Sequence, residues 1–278
     1  LKELNEQENI IDKLAPKGSK RRVVVNICTQ VYTHPKQILH YMKPQKIKRV
    51  FYYLFHDGIR GVSKVLDDRM LMGSDLKLEL VVKKQITGNS IKDYPEIVFK
   101  GAENPLVSII IPVYNQFDYT YACLRSIFEN TGDINYEIII ADDCSNDLTK
   151  NICEVVKGIH VEKTQGQSYF LRNCNHAAKA AKGKYIVFLN NDTQVQENWL
   201  KPLVDLMERD SKIGMAGSCL VYPDGRLQEA GGILWKDGSA WNFGNGHNPA
   251  MPEYRYVKDV DYISGAAIMV RHDLWNEL

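Results

Sequence analysis

The chain has 278 residues, 44% of them hydrophobic and 25% charged, enough apolar side chains for a sizeable core, and this excludes disorder along its whole length. Its 35 basic and 34 acidic side chains leave a formal charge of +1, so no global field marks it as a nucleic-acid binder. No run reaches the roughly 18 to 20 apolar residues of a membrane span, no signal-peptide pattern opens the chain, and the six cysteines form no C-x-x-C pair. The expectation is a reduced, cytoplasmic chain, at most peripheral at the inner face of the membrane.

Residues 1–104 are charged and mostly helical in pattern and read as an extension. Residues 22–31 form a candidate strand. From Lys46 to Met72, Val50, Phe51, Leu54, Phe55, Ile59, Val62, Val65 and Leu66 recur at helical spacing around Gly58, the pattern of two amphipathic helices. The cluster Lys43, Lys46, Lys48 and Arg49 beside Phe51-Tyr52-Tyr53 fits a membrane-surface helix. The pattern favours the plainer reading, a helix packed on the main domain with solvated lysines.

Residues 105–278 read as the main domain. Strand 106–111, helix 118–130, strand 136–141, helix 147–157 and strand 159–163 follow one another. A helix ending near Lys182, strand 184–189 and helix 196–209 complete the series. Continuous apolar strands separated by helices predict an α/β fold, a mostly parallel twisted sheet flanked by helices. Beyond residue 210, the turn signals Tyr222-Pro223-Asp224-Gly225 and Lys236-Asp237-Gly238-Ser239 predict hairpins.

Three strands end in polar groups: Asn115 after Pro112-Val113-Tyr114, Asp143 after Asp142, and Asp192 after Asn190-Asn191. Ligands of open parallel sheets bind at such carboxyl ends. No glycine-rich phosphate loop accompanies them, so a bound diphosphate would need its charge met by a hard cation held by an acid.

The motifs Ser108-Ile109-Ile110-Ile111-Pro112-Val113-Tyr114-Asn115, Ala141-Asp142-Asp143-Cys144-Ser145-Asn146-Asp147, Phe170-Leu171-Arg172-Asn173-Cys174-Asn175 with Ala181-Lys182-Gly183-Lys184-Tyr185, and Phe188-Leu189-Asn190-Asn191-Asp192-Thr193 stand in this order. They resemble the family 2 glycosyltransferases of the GT-A fold, over most of residues 105–278. The segments 228–235, 237–242 and 260–265 look like the subgroup of bacterial surface-polysaccharide and rhamnan-type assembly.

The resemblance implies a metal-dependent, inverting transfer of a sugar from a UDP- or dTDP-sugar to a saccharide or lipid-linked saccharide acceptor. It implies that Pro112, Tyr114 and Asn115 border the nucleoside and that Asp143 accepts a hydrogen bond from the base. Arg172 and Asn175 are further donor contacts, Asn191 bonds a ribose hydroxyl, and Asp192 binds Mg²⁺ or Mn²⁺. Asn190 and Asn191 replace the acids of the aspartate-rich motif, so less negative charge faces the metal. The catalytic base, a carboxylate of a downstream Glu-Asp pair, is expected beyond Leu278, with Asp261 as a stand-in. The chain then reads as a piece of a longer polypeptide, its GT-A domain cut at the C-terminus.

The plainer readings set Asp192 as a turn residue, Asp142 and Asp143 as helix caps, although Ser145 and Asp147 are better placed to cap, and Trp235 and Trp241 as hairpin core rather than sugar-stacking rings. The rival functions are a nucleotide-sugar-binding domain without transfer, favoured by the missing pair, and a sugar nucleotidyltransferase, whose glycine-rich basic loop is not seen. The spacing of residues is silent on self-association.

Overall fold

The computed structural model describes residues 78–277. The strand expected over 22–31, the helices within 46–72 and their basic cluster lie outside the described residues. The unit containing the sheet begins at Leu78. Ile91, Tyr94, Ile97 and Phe99 belong to the same buried cluster as Val107 and Ile109, so residues 91–99, assigned to the extension by composition, pack with the main domain.

Strand β1 (Ile97–Val98) precedes β2 (Val107–Val113), every residue of which is buried. Its run of branched side chains favours extended backbone, and α1 (Phe117–Asn130) returns along one face. Next come β3 (Tyr136–Asp142), a 3-10 turn over Leu148–Asn151, α2 (Ile152–Val155), β4 (Val156–Lys157) and β5 (His160–Lys163). The helix expected over 147–157 is therefore short. Val155 and Val156 are β-branched, and β4 pairs in parallel with β1 instead of continuing the helix.

After α3 (Tyr169–Ala178) and β6 (Tyr185–Leu189) the chain enters α4 (Lys201–Arg209). The start expected at residue 196 would have put Pro202 inside the helix. Proline lacks an N–H and is accommodated only in the first turn, where the structure has it.

The central sheet has six strands, in the order β5-β3-β2-β6-β12-β7, with β7 at Met215–Gly217 and β12 at Ala267–Arg271. The first four run parallel, and β12 is antiparallel to both β6 and β7. One face packs Ile109, Ile111 and Val113 against Phe117, Tyr121, Leu124 and Ile127 of α1. The other packs Ile110, Ile139 and Phe188 against Cys174, Ala177 and Ala178 of α3. Each of these isoleucines is fully buried and contributes about 1.5–3 kcal/mol. Two of the five described cysteines, Cys123 and Cys174, are buried, while Cys144, Cys153 and Cys219 are exposed and all five are free.

Gly183 sits against the start of β2, where an added Cβ would lie 2.6 Å from the backbone N of Ser108. Backbone cannot yield as a side chain does, so Gly183→Ala is expected to cost about 3 kcal/mol. Chemical denaturation checks this: an unchanged midpoint would show that the approach is looser.

The expected hairpins are present: β8 (Leu220–Val221) with β9 (Leu227–Glu229), and β10 (Gly232–Leu234) with β11 (Ala240–Asn242). After β12 the short helix α5 runs from His272 to Glu277. Among the described residues no helix is long and apolar enough to cross a membrane.

Candidate active site at the carboxyl edge of the sheet

Strand β2 pairs with β6 only as far as Ile110↔Phe188, yet continues beside β3 to Val113↔Asp142. The chain leaves β2 for β3 on one side and reaches β6 on the other, so this divergence is the crevice where an open α/β sheet binds ligands. Pro112 helps to make it. The Val113 carbonyl accepts the Asp143 N–H at 2.8 Å, so the preceding residue turns its backbone toward β6, where the ladder has already ended. A missing N–H costs nothing there.

Asn115 and Gln116 follow in left-handed conformation, at φ 56° and 60°. Asn115 Oδ1 accepts the Asn146 N–H at 2.7 Å and that of Asp147 at 3.3 Å, while its own N–H donates to Ser145 Oγ at 2.8 Å. Asn115 thus clamps the loop after β3. Asp147 repays the contact across the crevice by accepting the N–H of Phe117, the first residue of α1, at 3.0 Å, and that of Thr149 at 3.0 Å. The capping role anticipated for Asp147 is therefore present, and it extends to a second helix. Asp142 takes the Ser145 N–H at 2.8 Å.

Asp143 is buried, and its carboxylate accepts four hydrogen bonds. Oδ1 takes Ser168 N–H (2.6 Å), Ser168 Oγ (2.9 Å) and Thr164 Oγ1 (3.0 Å), and Oδ2 takes the Tyr169 N–H at 2.9 Å. It therefore caps the N-terminus of α3 from 25 residues away. Burial opposes its charge, but the bonds from Ser168, Thr164 and Tyr169 outweigh that and hold the carboxyl below its usual range. Oδ2 keeps acceptor capacity beyond its one bond, since a carboxylate offers about four lone-pair sites.

Above Asp143 lies an open cleft of about 430 Å³ lined by Thr164, Gln165, Ser168, Arg172, Asn175, His176 and Lys179. Arg172, Asn175 and Lys179 recur three and four residues apart, so α3 presents them as one exposed, cationic face. The structure thereby brings Arg172 and Asn175 together with the groups that hold Asp143. Ser168, Thr164 and Lys179 were missed by the motif reading.

At the end of β6, Asn190 N–H donates to Ala266 O at 2.9 Å, and Asn191 Nδ2 donates to Thr120 Oγ1 of α1 at 3.0 Å. The side-chain oxygen of Asn190 is buried without a hydrogen-bond partner. Asp192 is exposed and makes no hydrogen bond or ion pair with a described residue. Tyr114 is half exposed at the end of β2, and Pro112 is buried.

Four of the five described non-glycine residues with left-handed φ, Asn115, Gln116, Cys144 and Tyr169, surround this edge. Backbone strain is thus concentrated at the crevice, as at ligand sites generally.

Among the described residues no three His, Cys, Asp or Glu side chains are grouped to hold a metal by themselves. The exposed carboxylate of Asp192 is a hard-oxygen donor, whereas the unpaired amide oxygen of Asn190 is buried. Hard oxygens of this kind are what Mg²⁺ and Mn²⁺ prefer as ligands.

Asp261 is exposed and carries one hydrogen bond. Its Oδ2 accepts the Leu234 N–H at 3.0 Å and so anchors the β10–β11 hairpin. Glu229, buried in β9, accepts the Ser264 N–H at 3.0 Å, and burial pushes its carboxyl up. It thereby fixes the segment leading to Ala266.

The chain shares 34% identity over 126 residues with the putative teichuronic acid biosynthesis glycosyltransferase TuaG of Bacillus subtilis (strain 168), covering 44% of this chain and 50% of that one. It is 26% identical over 186 residues to the O-antigen biosynthesis protein RfbC of Myxococcus xanthus, covering 63% and 14% respectively. The chain thus spans half or less of the length of these curated relatives. Among solved structures, S. aureus TarS 1-349 in complex with UDP aligns over 37% of this chain and 32% of that one, at 26% identity and a TM-score of 0.32. The mannosyltransferase PcManGT from Pyrobaculum calidifontis, in complex with GDP-Man and Mn²⁺, aligns over 66% and 50% at 17% identity and a TM-score of 0.44. The model of the family described as Glycosyl transferase family 2 matches residues 108–276, more than half of the chain, and the α/β sheet domain is the GT-A fold expected from the motifs. The chain belongs to glycosyl transferase family 2.

Proposed function

We propose that this chain carries the donor-binding part of a metal-dependent, inverting glycosyltransferase that moves a sugar from UDP- or dTDP-sugar to a saccharide or lipid-linked saccharide acceptor in surface-polysaccharide assembly. The observation that carries the reading is the cleft along α3, lined by Arg172, Asn175 and Lys179 and by Ser168 and Thr164, which hold Asp143 at the carboxyl end of β3. The base lies against Arg172 and Asn175 with its imide N–H on Asp143 Oδ2. Pro112, Tyr114 and Asn115 border the nucleoside, and Asn191 meets the ribose.

A divalent cation bound by Asp192 would supply charge neutralisation to the departing diphosphate. The chain's own residues orient the donor: Asp143 fixes α3, and α3 in turn fixes Arg172 and Asn175. Asp261 is the stand-in for the base within this chain: one of its oxygens holds the hairpin, and a carboxylate keeps further acceptor sites for a proton. Binding of a nucleotide sugar without transfer is the second reading.

Calorimetry with UDP, dTDP and GDP, with and without Mn²⁺, tests the proposal. A uridine or thymidine diphosphate is expected to bind, more tightly with Mn²⁺. Absence of binding by all three would contradict it, and multiple rapid turnovers with a saccharide acceptor would show that the base is within this chain.

A further inference from the structure

The β10–β11 hairpin carries two tryptophans that the fold does not bury. Trp241 lies opposite Ile233, and Trp235 stands two residues beyond Ile233, so all three project from one face. The two rings touch edge to face, with centroids 5.8 Å apart, yet Trp235 is 48% and Trp241 61% exposed. Burying such rings is among the larger favourable terms open to a chain, so a hairpin that holds a Trp pair in water is not filling a core. This decides against the reading of both as hairpin core. Lys236 and Asp237, both exposed, border the rings at the turn. An apolar face rimmed by polar groups suits a ligand with the same division, as a pyranose ring has between its C–H face and its hydroxyl edge.

The hairpin is tied to the carboxyl edge of the sheet. Asp261 holds Leu234, Gly232 N–H donates to Tyr262 O at 3.0 Å, and the Tyr262 hydroxyl donates to Asn242 Oδ1 at 3.0 Å. Four residues then lead from Tyr262 to Ala266, whose carbonyl accepts the Asn190 N–H. Four residues span at most ~14 Å, so the base of the hairpin stands within a few sugar units of the metal motif.

The geometry points to an acceptor platform: Trp235 and Trp241 stack on a ring of a saccharide chain and hold its growing end toward the end of β6. This rests on the glycosyltransferase reading above and adds to it the surface that binds the acceptor.

The test is a glycan array of bacterial surface-polysaccharide fragments probed with the whole chain, its Trp241→Ala and Trp235→Ala variants, and Trp241→Phe, which keeps an aromatic face. The wild type is expected to retain one class of fragment. Each alanine variant should lose about tenfold in affinity, about 1.4 kcal/mol, with UDP affinity unchanged, and Trp241→Phe should recover most of it. Alanine variants that bind as wild type, or a wild type that retains no fragment, would overturn the platform. So would loss confined to phosphatidylglycerol vesicles, which would assign the rings to a membrane surface. If the wild type retains glycan but no nucleotide, the donor reading falls and the platform stands.

Discussion

Asp192→Ala is expected to remove the Mn²⁺-dependent part of UDP affinity, a loss of about 100-fold, while leaving the fold intact. The strand end offers a single carboxylate, and the two residues before it are amides without charge. Asn191 donates its Nδ2 to Thr120 and the side-chain oxygen of Asn190 is buried, and an amide oxygen of either would bring no charge to a cation. A cation bridging a diphosphate would then lose its one anionic protein ligand. Because Asp192 is exposed and bonds to no described residue, the substitution should move stability by no more than about 0.5 kcal/mol. Titration calorimetry in Mn²⁺ and in EDTA separates the two effects. An affinity that is equal in both media for the wild type, or unchanged by the substitution, would remove Asp192 from the site.

Asp143→Asn is expected to act on both stability and binding. The amide oxygen can replace Oδ1 and keep the three bonds from Ser168 and Thr164, but the amide nitrogen then faces the Tyr169 N–H, donor against donor. A lost charged bond together with an unpaired buried donor costs about 3 kcal/mol, which in a domain of this size lowers the melting temperature by roughly 6–12 °C. UDP affinity falls as well, because α3 loses the carboxylate that sets Arg172 and Asn175. The wild type carries the matching pH signature. The folded-state pKa of Asp143 is depressed, so its contribution is full above the unfolded value of about 4 and is lost as the pH falls through the lower folded value. Melts across the acid range should show the wild type losing its advantage over Asp143→Asn. A constant difference down to the acid limit would assign the effect to packing.

The strands were legible because each of β2, β3 and β6 is a short, continuous apolar run, and a strand buried on both faces leaves that pattern in any sequence. The edge residues were legible for the same reason, since whatever follows such a run stands at its carboxyl end. What stayed hidden depends on distance along the chain. Nothing near Asp143 announces that Ser168 and Tyr169 will donate to it, and nothing near Phe117 announces Asp147. The pairing of β4 with β1 joins residues about 59 positions apart, at Ile97↔Val156, and turned an expected helix into a strand. Pro202 was a local signal against the early start of α4, but the apolar spacing of Trp199, Leu200 and Leu203 concealed it.

A crystal structure of the chain grown with UDP and Mn²⁺, with anomalous data collected at the manganese edge, tests the central claim most directly. The account predicts one manganese on a carboxylate oxygen of Asp192, bridging to the diphosphate, with the uracil in the cleft between Thr164 and Lys179. Nucleotide bound away from that cleft, or manganese bound without Asp192, would contradict it.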